Sequence, residues 1–279
     1  MKTSLVLEGG GMRGTYSTGV LDFLLDEEVE FSSCYAVSAG SGHACSFLSR
    51  QRGRAFRVVA NNVKVPEYAG VKVLLKTGDF FNVDYIYHKI PDKLDIYDYD
   101  AFANNPTKFF AVCTNLETGK ADYLQVEDLR KDMGKIVASS SLPFLSRTQV
   151  IEGKPYLDGG IGDSIPVRKA LETADKAVVV LTRDLSYRKS PFKLKRLLKF
   201  KYGKYPEFCK AMLDRYERYN ETLDFIAEAE KEGKVFVFRP TYELKVGRLE
   251  RDPAKLKALY EQGFEESLKR KQEFEEFVK

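Results

Sequence analysis

The sequence predicts an α/β fold built on a mostly parallel sheet. Short apolar runs rich in β-branched residues alternate with segments of helical periodicity, which favours layers of helices around a sheet. The first two runs each end in a turn of small residues that opens a helix. Of the 279 residues, 43% are hydrophobic and 31% charged, enough to bury one large core or two small ones and too apolar for a disordered chain.

Taken in order, residues 3–7 read as a buried strand, and residues 15–25 as a helix carrying Tyr16, Val20, Phe23 and Leu24 at helical spacing. A second strand at 34–37 leads to a helix of small residues at 39–48. Strands at 108–114 and 121–126 flank Glu117-Thr118-Gly119-Lys120, a turn that makes them a hairpin. A helix at 133–140 runs toward Pro143, a short strand at 154–157 ends on Asp158-Gly159-Gly160, and 177–181 is a fully apolar strand. Past Arg183 the texture changes to a basic stretch, a charged helix at 207–231, a strand at 235–238 and a terminal helix at 252–277. This divides the chain into an α/β domain at 1–182 and a basic, mainly helical extension at 183–279. No internal repeat or low-complexity tract is present.

Charge gives a weak constraint. Lys+Arg at 45 against Asp+Glu at 41 leaves a net +4, too mild to argue for nucleic acid as a partner. Cys34, Cys45, Cys113 and Cys209 have neither CxxC nor zinc-finger spacing, and the N-terminus enters a strand-like run too short for a signal peptide. A reduced, cytoplasmic protein is expected. No stretch approaches the roughly 18 apolar residues of a membrane span, so contact with a bilayer is expected to be peripheral.

The chemistry concentrates at two turns. Gly9, Gly10, Gly11 and Gly14 surround Arg13 after the first strand, and bare N–H groups in such a turn face an anion, either a phosphate or an acyl-transfer oxyanion. The run also fits G-x-G-x-x-G, which in a dinucleotide site requires an acid at the end of the second strand. That strand ends instead on Ser38, within Ala36-Val37-Ser38-Ala39-Gly40, and Asp26, Glu27, Glu28 and Glu30 all precede it. Small-x-Ser-x-Gly is the pattern of a nucleophile raised on a sharp turn with a helix N-terminus behind it; alanine replaces the usual first glycine.

A serine needs a base. His43 falls within the helix that follows Ser38, at a spacing that points it away from the nucleophile, and His88 sits in a tyrosine-rich segment without a companion motif; both are expected to be structural. Asp158, at a strand end before two glycines, is the alternative, since desolvation would raise its pKa toward that of a working base. Each feature has a plainer reading alone: a positive-φ turn at 9–14, a small residue at a helix start for Ser38, an Asp-Gly turn for Asp158.

Gly-Gly-Gly-x-Arg-Gly at 9–14, small-x-Ser-x-Gly at 36–40 and Asp-Gly-Gly at 158–160, in that order, resemble the patatin-like phospholipases. The resemblance implies a three-layer α/β/α fold and a serine lipid acyl hydrolase of phospholipase A or lysophospholipase type, acting in lipid catabolism. Ser38 would be the nucleophile and Asp158 its base, with no metal, cofactor or histidine in the chemistry. Gly9, Gly10, Gly11 and Gly14, with the Ala39 N–H, would form the oxyanion region; Arg13 would hold the loop or neutralise nearby charge; Gly40, Gly159 and Gly160 would support the turns. Ala138-Ser139-Ser140-Ser141-Leu142-Pro143 resembles the family's small-residue segment, with a role in shape only.

Between Arg188 and Lys204, eight Lys and Arg residues interleave with Phe192, Leu194, Leu197, Leu198, Phe200 and Tyr202, without one acid. The stretch suits an anionic membrane surface or, equally, a solvated helix with one stripe on the core. Two other functions remain open: a nucleotide-binding module using the glycine turn for pyrophosphate, and a lipid sensor with a vestigial site.

Overall fold

The computed structural model describes residues 1–279. The elements are β1 (Thr3–Leu7), α1 (Thr15–Asp26), β2 (Ser33–Val37), α2 (Ala39–Leu48), α3 (Arg54–Asn62), α4 (Val71–Thr77), α5 (Tyr99–Ala103), β3 (Lys108–Asn115), β4 (Ala121–Val126) and α6 (Leu129–Ser140). They continue with β5 (Gln149–Ile151), β6 (Lys154–Asp158), α7 (Val167–Leu171), β7 (Lys176–Val180), α8 (Lys195–Tyr202), α9 (Pro206–Lys231), β8 (Val235–Phe238), α10 (Pro253–Lys269) and α11 (Lys271–Val278). One sheet runs β5-β6-β3-β2-β1-β7-β8, with β4 also paired to β3. Its β3-β2-β1-β7-β8 part is parallel, while the β3–β4, β3–β6 and β5–β6 pairs are antiparallel.

Alternation along the parallel strands makes three layers. Leu5 and Leu7 of β1 and Val178 and Val180 of β7 face one core with α1, α2, α3, α10 and α11, whereas Val6, Ala177 and Val179 face a second core with α7 and α9. Residues beyond 182 enter all three layers, since β8 extends the sheet, α9 covers one face and α10 packs on α1 on the other. That last contact is close: a Cβ on Gly19 of α1 would stand 2.1 Å from the Tyr260 carbonyl oxygen, and one on Gly263 of α10 equally near that of Tyr16. Only a glycine pair lets these two backbones touch.

The expected strands all form, within a residue or so at their ends. The hairpin of β3 and β4 forms at the expected turn. Two expectations change. The terminal helix at 252–277 is two helices, because Arg270 leaves helical geometry at φ −102 and ψ 12, letting Phe274 turn onto Phe236 and Phe238. The basic segment is helical only from Lys195, since the stretch before it crosses α9 as irregular chain, with the Lys189 N–H donating to Asn220 Oδ1 at 2.8 Å. Helices between 54 and 103, including a π-helical turn over Tyr85–Leu94, were not anticipated.

Candidate active site

The parallel register brings the two turns together. Leu7 pairs with Ala36, so β1 and β2 end side by side, and the glycine loop lies directly on Ser38. A Cβ on Gly9 would stand 2.7 Å from Ser38 Cβ and 2.9 Å from the Val37 carbonyl oxygen, which explains a residue without a side chain there. Val37 pairs with Val112 on β3, and the next residue of β3, Cys113, pairs with Asp158 on β6. Because β4 takes the other edge of β3 along Phe109–Thr114, β2 and β6 lie end to end on the same edge, and the end of β6 at Asp158 meets the end of β2 at Ser38.

Ser38 adopts φ 55 and ψ −126 as the residue before α2, a conformation that costs a non-glycine residue on the order of 1–3 kcal/mol. The end of α6 maintains it. Ser139 Oγ accepts the Ser38 N–H at 2.9 Å, and Ser140 Oγ donates to the Ser38 carbonyl at 3.1 Å. Ser41 Oγ gives its proton to the Ala36 carbonyl at 2.8 Å, so in the 2.9 Å contact between Ser41 and Ser139 the proton comes from Ser139. The Asp158 N–H donates to the Ser141 carbonyl at 2.8 Å, tying both turns to one serine-rich helix end.

Asp158 is 3% exposed. Burial pushes its carboxyl above the ordinary range; the Ser38 hydroxyl, the Arg215 charge and the Gly160 N–H act against that shift. Oδ1 accepts from Gly160 N at 2.8 Å, while Oδ2 is buried without a bond of normal geometry, leaving lone pairs free beside Ser38. Gly159 lies against the Val112 carbonyl and starts the turn that aims the carboxylate back.

The Gly9 and Gly10 N–H groups donate to no protein acceptor, and neither does that of Ala39 in the first turn of α2. Gly11, at φ 57, packs under the Arg248 carbonyl, which also accepts the Met12 N–H at 3.1 Å; Gly14 sits against Ala39 and His43, and Gly40 against the end of β1. Arg13 makes no side-chain bond that would clamp the loop. Its Nε is buried without an acceptor, and burial followed by the charges of Arg248 and Arg183 lowers its pKa. The loop is instead fixed by Glu8, whose Oε2 accepts from Thr182 N and Oγ1 at 2.7 and 2.9 Å and whose Oε1 accepts from Tyr219 at 2.6 Å.

Neither histidine hydrogen-bonds to the pair, although His43 lines a cavity with Ser38. His43 is buried against Gly14, and burial lowers its pKa to about 4, so it is neutral at pH 7; His88 is exposed on the π-helical turn.

Two cavities meet at Ser38. One, of about 130 Å³, is walled mainly by Met12, Val58, Val59, Phe81, Ile86 and Tyr97. The other, of about 270 Å³, contains Asp158 and is rimmed by Arg13, Lys189, Arg215 and Arg248. Sequence reading missed Glu8, the serine triplet's polar role, Arg215 and Arg248, and gave Lys189 only a place in the basic stretch. The triplet could have been found from its three consecutive hydroxyls before a proline; the others carry no local signal.

A strained serine between strand and helix, a buried carboxylate at the adjoining strand end and glycine-loop amides without a protein acceptor make up one site at the end of the strands. Residues 5–171 match the sequence model of the patatin-like phospholipases, and the chain belongs to that family. Residues 205–279 match a second model, described as a domain of unknown function (DUF6363). The uncharacterised protein YjjU of Escherichia coli strain K12 is 30% identical over 183 residues, which make up 64% of this chain and 51% of that protein, so the chain spans about half the length of the curated relative it matches. Among solved structures, VipD from Legionella pneumophila aligns with a TM-score of 0.48 and 11% identity, over 96% of this chain and 66% of that one.

Proposed function

We propose that the protein is a serine lipid acyl hydrolase working through a Ser38–Asp158 dyad. The observation that carries this reading is the buried Asp158 carboxyl, whose Oδ2 takes no bond of normal geometry and whose charged form the Ser38 hydroxyl favours, beside a serine held at positive φ. Ser38 Oγ attacks the acyl carbonyl as its proton passes to Asp158, and the carbonyl oxygen takes charge toward the unpaired amides of Gly9, Gly10 and Ala39. Collapse forms the Ser38 ester and breaks the bond to the alcohol, which leaves with the proton from Asp158. Water then gives its proton to Asp158 and attacks the ester, releasing the fatty acid and returning the proton to Ser38. The catalytic unit is residues 1–182, with 183–279 serving as an extension that docks and lines the site. A dinucleotide reading is disfavoured, because Ser38 follows directly on β2 where that reading needs an acid. Labelling by a fluorophosphonate, lost in Ser38→Ala, together with hydrolysis of a p-nitrophenyl acyl ester tests the reading; NAD or ATP binding without labelling would overturn it.

The same reading includes docking on an anionic bilayer through α8. Leu198 and Tyr202 face inward onto the cluster with Phe208, while Leu194, Leu197 and Phe200, the last 89% exposed, face solvent among lysines. No helix is long and apolar enough to cross a membrane. Reversing Lys193, Lys195, Arg196 and Lys199 to Glu should abolish sedimentation with phosphatidylglycerol vesicles; unchanged binding would sink the docking assignment.

A further inference from the structure

Four cations converge on the second cavity without an acidic partner. Arg13 comes from the glycine loop, Lys189 from the chain between β7 and α8, Arg215 from α9 and Arg248 from the chain before α10. Arg215 bonds only the Ser164 hydroxyl, at 3.3 Å from both Nε and an Nη, and Lys189 Nζ stands 4.3 Å from the centre of the Tyr219 ring. A fifth cation, Arg183, is taken by Glu243. The acids on the wall are Asp158 and Glu8, the latter with both oxygens occupied by Thr182 and Tyr219. Three guanidiniums and the Lys189 amine face two acids, so positive charge is in excess. Burial first, and then the charges of Arg215 and Arg248, lower the Lys189 pKa to about 7. Such a cluster is costly unless a mobile anion completes it.

The two cavities assign the ends of the substrate. Asp158 must return its proton to the departing alcohol, and Asp158 borders the cationic cavity but not the apolar one. The acyl chain therefore enters the apolar cavity and the alcohol the cationic one. Resting on the acyl-hydrolase reading, we propose that Lys189, Arg215 and Arg248, with Arg13, bind the phosphate of a leaving group of net negative charge, so that acyl esters of glycerol phosphate are preferred over zwitterionic and uncharged ones. Arginine forks fit phosphate oxygens in pairs.

Three substrates of one acyl chain in mixed detergent micelles test this: 1-acylglycerol 3-phosphate, 1-acylglycerophosphocholine and 1-acylglycerol. kcat/KM should fall in that order. Lys189→Met and Arg248→Gln should each lower the ratio of the first to the third by about ten- to a hundredfold, the scale of one charge-assisted hydrogen bond, mainly through KM; Arg248→Lys should restore part of it. Glycerol 3-phosphate should bind in calorimetry, more tightly than inorganic phosphate, and lose affinity in both variants. An active enzyme with an unchanged ratio overturns the phosphate site alone, and equal binding of inorganic phosphate assigns the site to the free anion. A protein that binds glycerol 3-phosphate but cleaves no ester overturns the acyl-hydrolase reading and spares the site.

Discussion

Replacing Asp158 by Asn separates catalysis from stability in a way that a merely structural aspartate would not. Asn has the same shape, and its Oδ1 can keep the 2.8 Å bond from Gly160 N. What changes is Oδ2, which becomes an NH2 that cannot accept the Ser38 proton. General-base catalysis is worth about 10²- to 10⁴-fold, or roughly 3 to 5 kcal/mol of barrier, and kcat should fall by that amount. Stability should move the other way. Burial raises the folded carboxyl above its value in the unfolded chain, so as pH climbs from the unfolded pKa through the folded one the native state keeps a proton that the unfolded state has lost. Stability thus declines across that window and is fully reduced above it. Each unit of the upward shift amounts to about 1.4 kcal/mol, and the neutral amide removes that burden at pH 7. Thermal unfolding followed by circular dichroism should show a higher Tm, by about 2–4 °C for each kcal/mol, with a flatter acid-side profile, alongside p-nitrophenyl ester turnover near background. A variant that keeps a third of its activity, or that loses activity and stability together, would refute the reasoning.

Three further outcomes follow from the elbow and its surroundings. Ser38→Gly should abolish turnover yet gain about 1 kcal/mol in chemical denaturation, because glycine relieves the positive φ of 55. Ser139→Ala removes the acceptor of the Ser38 N–H and the donor to Ser41, and should cost about 1–3 kcal/mol with roughly a tenfold drop in kcat, read by denaturation and ester assays on one preparation. His43, with a folded pKa of about 4 against 6.5 unfolded, makes stability fall as pH drops from about 6.5 to 4, because only the unfolded state takes up the proton. His43→Gln should remove roughly 3 kcal/mol of that loss and retain most activity; a hundredfold loss of turnover would instead make the imidazole catalytic.

Much of this was written locally in the chain. The β-branched runs and their turns fixed the parallel strands, because strand and helix periodicities and small-residue turns are properties of neighbouring residues. Gly9 to Gly14, Ser38 and Asp158 were legible from motif and order, and the sheet register brings them to one edge. The helices of 54–103 were not legible, since their apolar positions are sparse and their helicity depends on the core they cover. The break at Arg270 escaped notice for the same reason: no glycine or proline marks it, and packing of Phe274 on Phe236 and Phe238 accompanies it.

The sequence alone determined that a glycine turn, a small-residue turn at Ser38 and an Asp-Gly-Gly turn each follow a strand of an α/β fold. Only the tertiary structure decided what surrounds them. Ser139 and Ser140 grip the Ser38 backbone from about 100 residues away, and Arg215 and Arg248 reach the cavity from beyond the last strand of the motif region. Charge compensation and desolvation depend on distances in space, and a residue's own neighbours along the chain do not set those distances.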